Sequence, residues 1–224
     1  MQDTELQNIW KAYDTKIEES RILNLQSWVL NFKCFESLQT YKAKSKLDKL
    51  AQFKVWAVLL GILWVLFLGI LVYANHFQNL YFSVSVLMIM LFSLFATVIY
   101  IIHIILIKKI NYGDTITATQ KKLAKIQAST INSTRILWLQ LPFHTTWFWH
   151  SKWVFTIGLK FWLIALPVTL LFTWLAIFLY RNIRLENMDK KWLRTLMMSG
   201  PEYTSIVKAM DFINEIDSFK KELI

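Results

Sequence analysis

VWAVLLGILWVLFLGILVYA, residues Val55 to Ala74, is a run of twenty residues without a charge. As an α-helix it covers about 30 Å, the thickness of a bilayer's hydrocarbon core. Trp56 and Tyr73 stand near its two ends, where amphipathic rings prefer the membrane–water interface, and Lys54 bounds it on one side. The run reads as a transmembrane helix, and the rest of the chain is organised around it.

On its C-terminal side, Asn75-His76-Phe77-Gln78-Asn79 is a short linker without full charges, and Leu80 to Ile107 is a second apolar run. Together they read as a tight helical hairpin. The second run exceeds one bilayer crossing, so it should tilt or project. Lys108 and Lys109 end it. The stretch Arg135–His150 is shorter and holds Gln140, Pro142 and His144, whereas Val154–Tyr180 is ample to span despite Lys160 and Pro167.

Charge distribution sets the orientation. The 224 residues are 55% hydrophobic with a net charge of +10, yet Asp114 is the only acid between Asp48 and Glu186. Residues 1–54 carry nine Lys/Arg against seven Asp/Glu, residues 181–224 eight against seven, and 108–135 six against one. Basic loops on the cytoplasmic side are what insertion demands, so the positive charge calls for no nucleic acid. With both the 108–135 loop and the segment after Tyr180 in the cytoplasm, the chain must cross twice between them, so Arg135–His150 either spans or is a bent segment that reaches the outer face with help from its neighbours.

The expected fold is therefore all-α. It is a polytopic membrane protein of the bacterial inner membrane, with four transmembrane helices at about 55–74, 80–107, 131–150 and 154–180. Both termini are cytoplasmic: a helical segment over 1–54, a basic loop over 108–130 and a second helical segment over 181–224.

The cytoplasmic ends are amphipathic. Leu6, Ile9, Trp10, Tyr13 and Ile17 form one stripe at spacings of three and four, and Leu25, Trp28, Phe32 and Phe35 form another. Glu18-Glu19-Ser20-Arg21 interrupts them, so two helices or one kinked helix would fit. At the other end, Ser199-Gly200-Pro201-Glu202 is a helix start, and Tyr203, Ile206, Met210, Ile213 and Ile216 follow on one face. Exposed aromatic stripes need covering. The expected docking residues are Trp10, Tyr13, Asp14 and Ile17, with Tyr203, Met210 and Ile213 opposite them, the two segments binding each other, a second copy or a cytoplasmic partner.

Chemistry is hard to find. No His has a His or carboxylate at metal-ligand spacing, the five glycines build no phosphate loop, and no span contains an acid to carry a cation. No catalytic residue, metal or cofactor is expected. The lone Cys34 reads as a small buried hydrophobe rather than a reactive thiol. Gln140, His144 and Lys160 remain as polar groups that could line a pore if copies of the chain assembled into a small channel. Gly61 and Gly69 read as sites of close helix packing.

The stretch Glu5–Asn24 carries Trp10, Tyr13-Asp14, a Lys16-x-Glu18 pair and Asn24 ahead of a basic helix. With Leu139-Gln140-Leu141-Pro142 and AMDFINEIDSF (Ala209–Phe219), it resembles a widespread group of uncharacterised multi-span inner-membrane proteins from Bacteroidota. Members are often encoded beside sigma-factor genes, so the resemblance implies a membrane-tethered regulator holding a cytoplasmic partner. The Cys/His zinc signature of one large class of anti-sigma domains is missing from this N-terminal segment.

Overall fold

The computed structural model describes residues 2–150, 154 and 158–221, the side chains of residues 2–4, 6 and 160 excepted. Among the described residues the fold is all-helical. Helix α1 runs Gln2–Asn75, 74 residues or about 110 Å long at 1.5 Å per residue. No Gly precedes Gly61 and no Pro precedes Pro142. The interruption at Glu18–Arg21 therefore breaks the apolar stripe without breaking the helix. Glu and Arg are good helix formers, and the Arg21 guanidinium lies 3.7 Å from the Glu18 carboxylate one turn back. Of the two expected alternatives, two helices or one, a single continuous helix stands here.

After α1, His76 and Phe77 take positive φ values of 45° and 56°, which non-glycine residues rarely do. The Asn75 amide spans this turn by donating to Ser83 Oγ at 2.9 Å. Helix α2, Leu80–Lys108, then returns along α1, and Leu68 and Val72 bury against Val86 and Ile89. The two glycines of α1 behave differently. A Cβ on Gly61 would stand 2.8 Å from Thr97 Oγ1, whereas one on Gly69 would meet nothing within 4 Å. Because Thr97 Oγ1 is already engaged with the Ser93 carbonyl at 2.9 Å, Gly61→Leu should separate the helices and cost about 1–3 kcal/mol. Gly69→Leu should leave thermal unfolding in the same detergent nearly unchanged. Equal losses from the two would contradict this packing.

Thr115 caps α3, Ile116–Leu137, by accepting from the Ala118 amide, and Lys122 closes on Asp114 at 2.6 Å. The helix tightens into a 3-10 turn over Trp138–Gln140 before the short α4, Leu141–Thr146. Pro142 is the physical reason: it has no amide proton for the Trp138 carbonyl, which Leu141 N–H takes instead. Along this path the chain runs antiparallel to α2. His103 Nε2 meets Ser129 Oγ at 2.8 Å, the Phe92 and Phe143 rings lie 6.3 Å apart, and the Ser85 and Thr146 hydroxyls are 2.8 Å apart. At the far end Asn79 donates to the Trp149 carbonyl at 2.7 Å.

Helix α5, Leu159–Asn182, packs antiparallel to the same path, through Trp149 against Phe161, Thr145 against Thr169 and Arg135 against Tyr180. Pro167 lies inside it without ending it. Among the described residues three helices, α1, α2 and α5, are long and apolar enough to cross a membrane. The expected third run over 131–150 is instead a composite of the end of α3, the 3-10 turn and α4.

A 3-10 turn at Leu185–Asn187 leads to α6, Lys191–Met198, and α7, Pro201–Lys221. Helix α7 lies antiparallel on α1: Glu202 meets Lys54, Glu215 accepts from Gln39 at 2.6 Å, and the Phe219 ring lies 4.9 Å from that of Phe35. Its other side meets α3, where Gln127 donates to the Tyr203 hydroxyl and Gln120 to Asn214. Leu47, Leu50, Leu123, Ile126, Ile206 and Ile216 fill the space between these three helices.

Candidate functional site

Two features stand apart from ordinary packing. The first is a polar cluster where α1, α2, α3 and α7 converge. Lys54 has no solvent-exposed side-chain surface, and its Nζ lies 2.6 Å from Glu202 Oε2 and 4.0 Å from the centre of the Tyr100 ring. The Tyr100 hydroxyl donates to the other Glu202 oxygen. One turn further along α2, the buried His103 meets Ser129 on α3, while its Nδ1 has no partner. Glu202 occupies the first turn of α7 behind Pro201, where the helix dipole favours a negative charge. A cavity of about 210 Å³ opens beside it, lined by Thr130, Trp138, Met197 and Tyr203 among others. Thr130 Oγ1 is buried there without a partner.

The cluster's chemistry is that of a latch. The carboxylate of Glu202 is matched by the Lys54 Nζ on one oxygen and the Tyr100 hydroxyl on the other. It ties the start of α7 to the boundary of the apolar part of α1. Nearby, outside the apolar runs, burial and the Asp48 carboxylate push the Tyr112 phenol up to about 12. It packs as a neutral side chain against the same core.

The second feature is the N-terminal part of α1. Helix α7 leaves it at Phe32, whose ring stacks on Phe219 at 6.0 Å. From there to the N-terminus, every residue whose side chain is described is exposed except Phe32 itself. Trp10 is 68% exposed, and Ile9, Tyr13, Ile17, Leu23 and Leu25 are all more than half exposed. This arm of 30 residues, 2–31, extends about 45 Å beyond α7.

The expected docking residues therefore separate into two groups. Trp10, Tyr13, Asp14 and Ile17 are together on the bare arm and exposed. Tyr203 and Ile213 are buried and Met210 half-buried, all three within the chain's own packing. They do not oppose Trp10 or Tyr13, because α7 pairs with α1 over residues 32–54. Gln140 is half-buried in the 3-10 turn and His144 is exposed on α4, while the side chain of Lys160 lies outside the described residues. Cys34 is exposed, contrary to the expectation of a buried thiol, since α7 covers its neighbours Phe32 and Phe35 on another face of the helix.

The Lys54–Glu202–Tyr100 cluster was not anticipated. Its sequence signal is slight: a lysine bounding an apolar run, an acid behind Pro201, and Tyr100 and His103 three apart in α2. Nothing local joins Lys54 to a residue 148 positions away. No family model, curated protein or solved structure matches the chain.

Proposed function

We propose that the chain is a non-enzymatic, membrane-anchored interaction protein whose bare N-terminal arm docks another protein in the cytoplasm. The observation that carries this reading is the arm itself: an apolar and aromatic helical surface that α7 leaves uncovered beyond Phe32. Exposed patches of this kind mark interaction surfaces, and exposed aromatic residues are the usual anchors. The basic segments after α2 and after α5 support placing both termini in the cytoplasm of a bacterial inner membrane. Contacts from Ser129 to Trp149 along the length of α2 support counting the composite segment as a fourth span. Within this reading the α1–α7–α3 bundle, locked by Lys54 and Glu202, is the base from which the arm projects.

The resemblance to proteins encoded beside sigma-factor genes makes a sigma factor the regulatory partner to test first. In-cell crosslinking of the full-length protein, followed by mass spectrometry, tests the reading. Crosslinks from a protein partner, a second copy included, should concentrate on residues 9–31. The triple variant Trp10→Ala, Tyr13→Ala, Ile17→Ala should lose them while remaining folded in the membrane. Crosslinks unchanged by the triple variant would overturn the assignment.

A further inference from the structure

The segment from Arg181 to Met198 presents a surface that packing within the chain does not account for. Arg181 lies in the last turn of α5, and the chain then turns through Leu185–Asn187 into α6. Leu193 and Met197, one turn apart on α6, are buried together with Leu179 and Ile183 from the end of α5. This contact holds α6 at the level where the apolar part of α5 ends. Trp192 and Leu196, also one turn apart, form the adjoining stripe and are exposed.

The exposed stripe continues the surface of a membrane helix. The Trp192 ring stacks on Phe178 at 5.9 Å, and Phe178 stacks on Trp174 at 5.4 Å. Leu170, Trp174 and Ile177 share a face and are at least half exposed, on a helix long and apolar enough to cross a bilayer. In a membrane this face of α5 meets lipid. Trp192 then stands where acyl chains give way to headgroups, the level at which tryptophan rings concentrate.

The charges beside the stripe match that setting. Arg181, Arg184, Lys190 and Lys191 are exposed, and among the described residues none of them pairs with a carboxylate. Glu186 and Asp189 are the only acids between Tyr180 and Met198. The demand for positive charge on the cytoplasmic side explains the sign of these residues but not the uncovered stripe next to them. Lysine and arginine flanking an apolar edge that carries Trp and Leu is the arrangement of a helix lying in a membrane interface. Arg194, two residues on from Trp192, lies nearly opposite it on α6. A protein approaching from the cytoplasm would meet that side and not the stripe.

We infer that α6 is a bilayer-surface helix that gathers anionic phospholipids. Trp192 and Leu196 enter the cytoplasmic leaflet beside α5, and Arg181, Arg184, Lys190 and Lys191 bind the lipid phosphates around them. This rests on the membrane-anchored part of the reading above and is independent of what the arm docks. Each basic residue near an anionic surface contributes about fivefold in binding, and salt screens the contribution.

The test uses the full-length chain with Cys34→Ser as background, reconstituted in vesicles of phosphatidylcholine and phosphatidylglycerol. A nitroxide at Leu196→Cys should be reached by oxygen dissolved in the bilayer and shielded from an aqueous nickel chelate, as should one at Ile177→Cys on α5. A nitroxide at Arg194→Cys should be open to the chelate. On native mass spectrometry the chain should retain phosphatidylglycerol in preference to phosphatidylcholine. Lys190→Gln with Lys191→Gln should cut that preference by about tenfold or more, while Arg181 and Arg184 still hold the topology. Chelate access at 196 with 177 shielded would overturn the inference and leave the membrane anchor in place. Chelate access at both would remove the anchor as well. Shielding at 196 without a preference for phosphatidylglycerol, or with one that the double variant keeps, would also overturn the inference, because the cations would then serve insertion alone.

Discussion

Replacing Glu202 with alanine should destabilise the folded chain by about 3–5 kcal/mol, the loss typical when one partner of a buried ion pair is removed. Lys54 would keep its position with no exposed surface and no counter-ion, and the Tyr100 hydroxyl would lose its acceptor. Because the Glu202 side chain retains 20% of its exposure, water can partly replace it and the loss belongs at the lower end. The informative companion is the double variant Lys54→Met with Glu202→Leu. Replacing a buried pair by apolar side chains of similar size is often neutral, so the double variant should recover most of the stability. Denaturant or thermal unfolding in one detergent, followed by tryptophan fluorescence, would measure both. If the double variant is as unstable as the single one, the pair is not the source of the effect.

Leu47→Ala should be comparably damaging. Leu47 is fully buried in the core shared by α1, α3 and α7, and truncating such a leucine costs about 2–5 kcal/mol through lost transfer energy and the cavity left behind. Trp10→Ala removes a much larger side chain from the same helix, yet it should change the stability of the single chain by no more than about 0.5 kcal/mol, because the group is 68% exposed and lies outside the buried core. Unfolding of both variants at low protein concentration in detergent gives the comparison. A large loss from Trp10→Ala would mean that the arm folds back onto the chain.

The contrast between these two residues shows which parts of the structure could be read in advance. The apolar runs at Val55–Ala74 and Leu80–Ile107 were legible because a membrane-spanning helix must satisfy its backbone within one segment. The start of α7 at Pro201 was legible from its cap chemistry. Stripes of apolar residues were legible as faces, and their partners were not. Trp10 and Phe35 belong to similar-looking stripes, but only the second is covered, because α7 starts beside Lys54 and its Phe219 ring lies on Phe32 and Phe35. The continuity of α1 through Glu18–Arg21 stayed open between one helix and two because a polar interruption says which face is buried, not whether the backbone hydrogen bonds continue. The Lys54–Glu202 contact depends on how far α7 travels back along α1, which no local pattern contains.

The unbroken course of α1 also has a mechanical meaning. Because no loop interrupts the helix between its tip and Asn75, a turn or lean of the tip passes along one continuous backbone to the apolar segment, reduced only by gradual bending of the helix. The lever is long: a tilt of about 10° pivoting at Lys54 sweeps Trp10 through about 11 Å, given 1.5 Å of rise for each residue between them. Small movements of the span are thus magnified at the arm, and forces applied at the arm arrive at Lys54 with leverage.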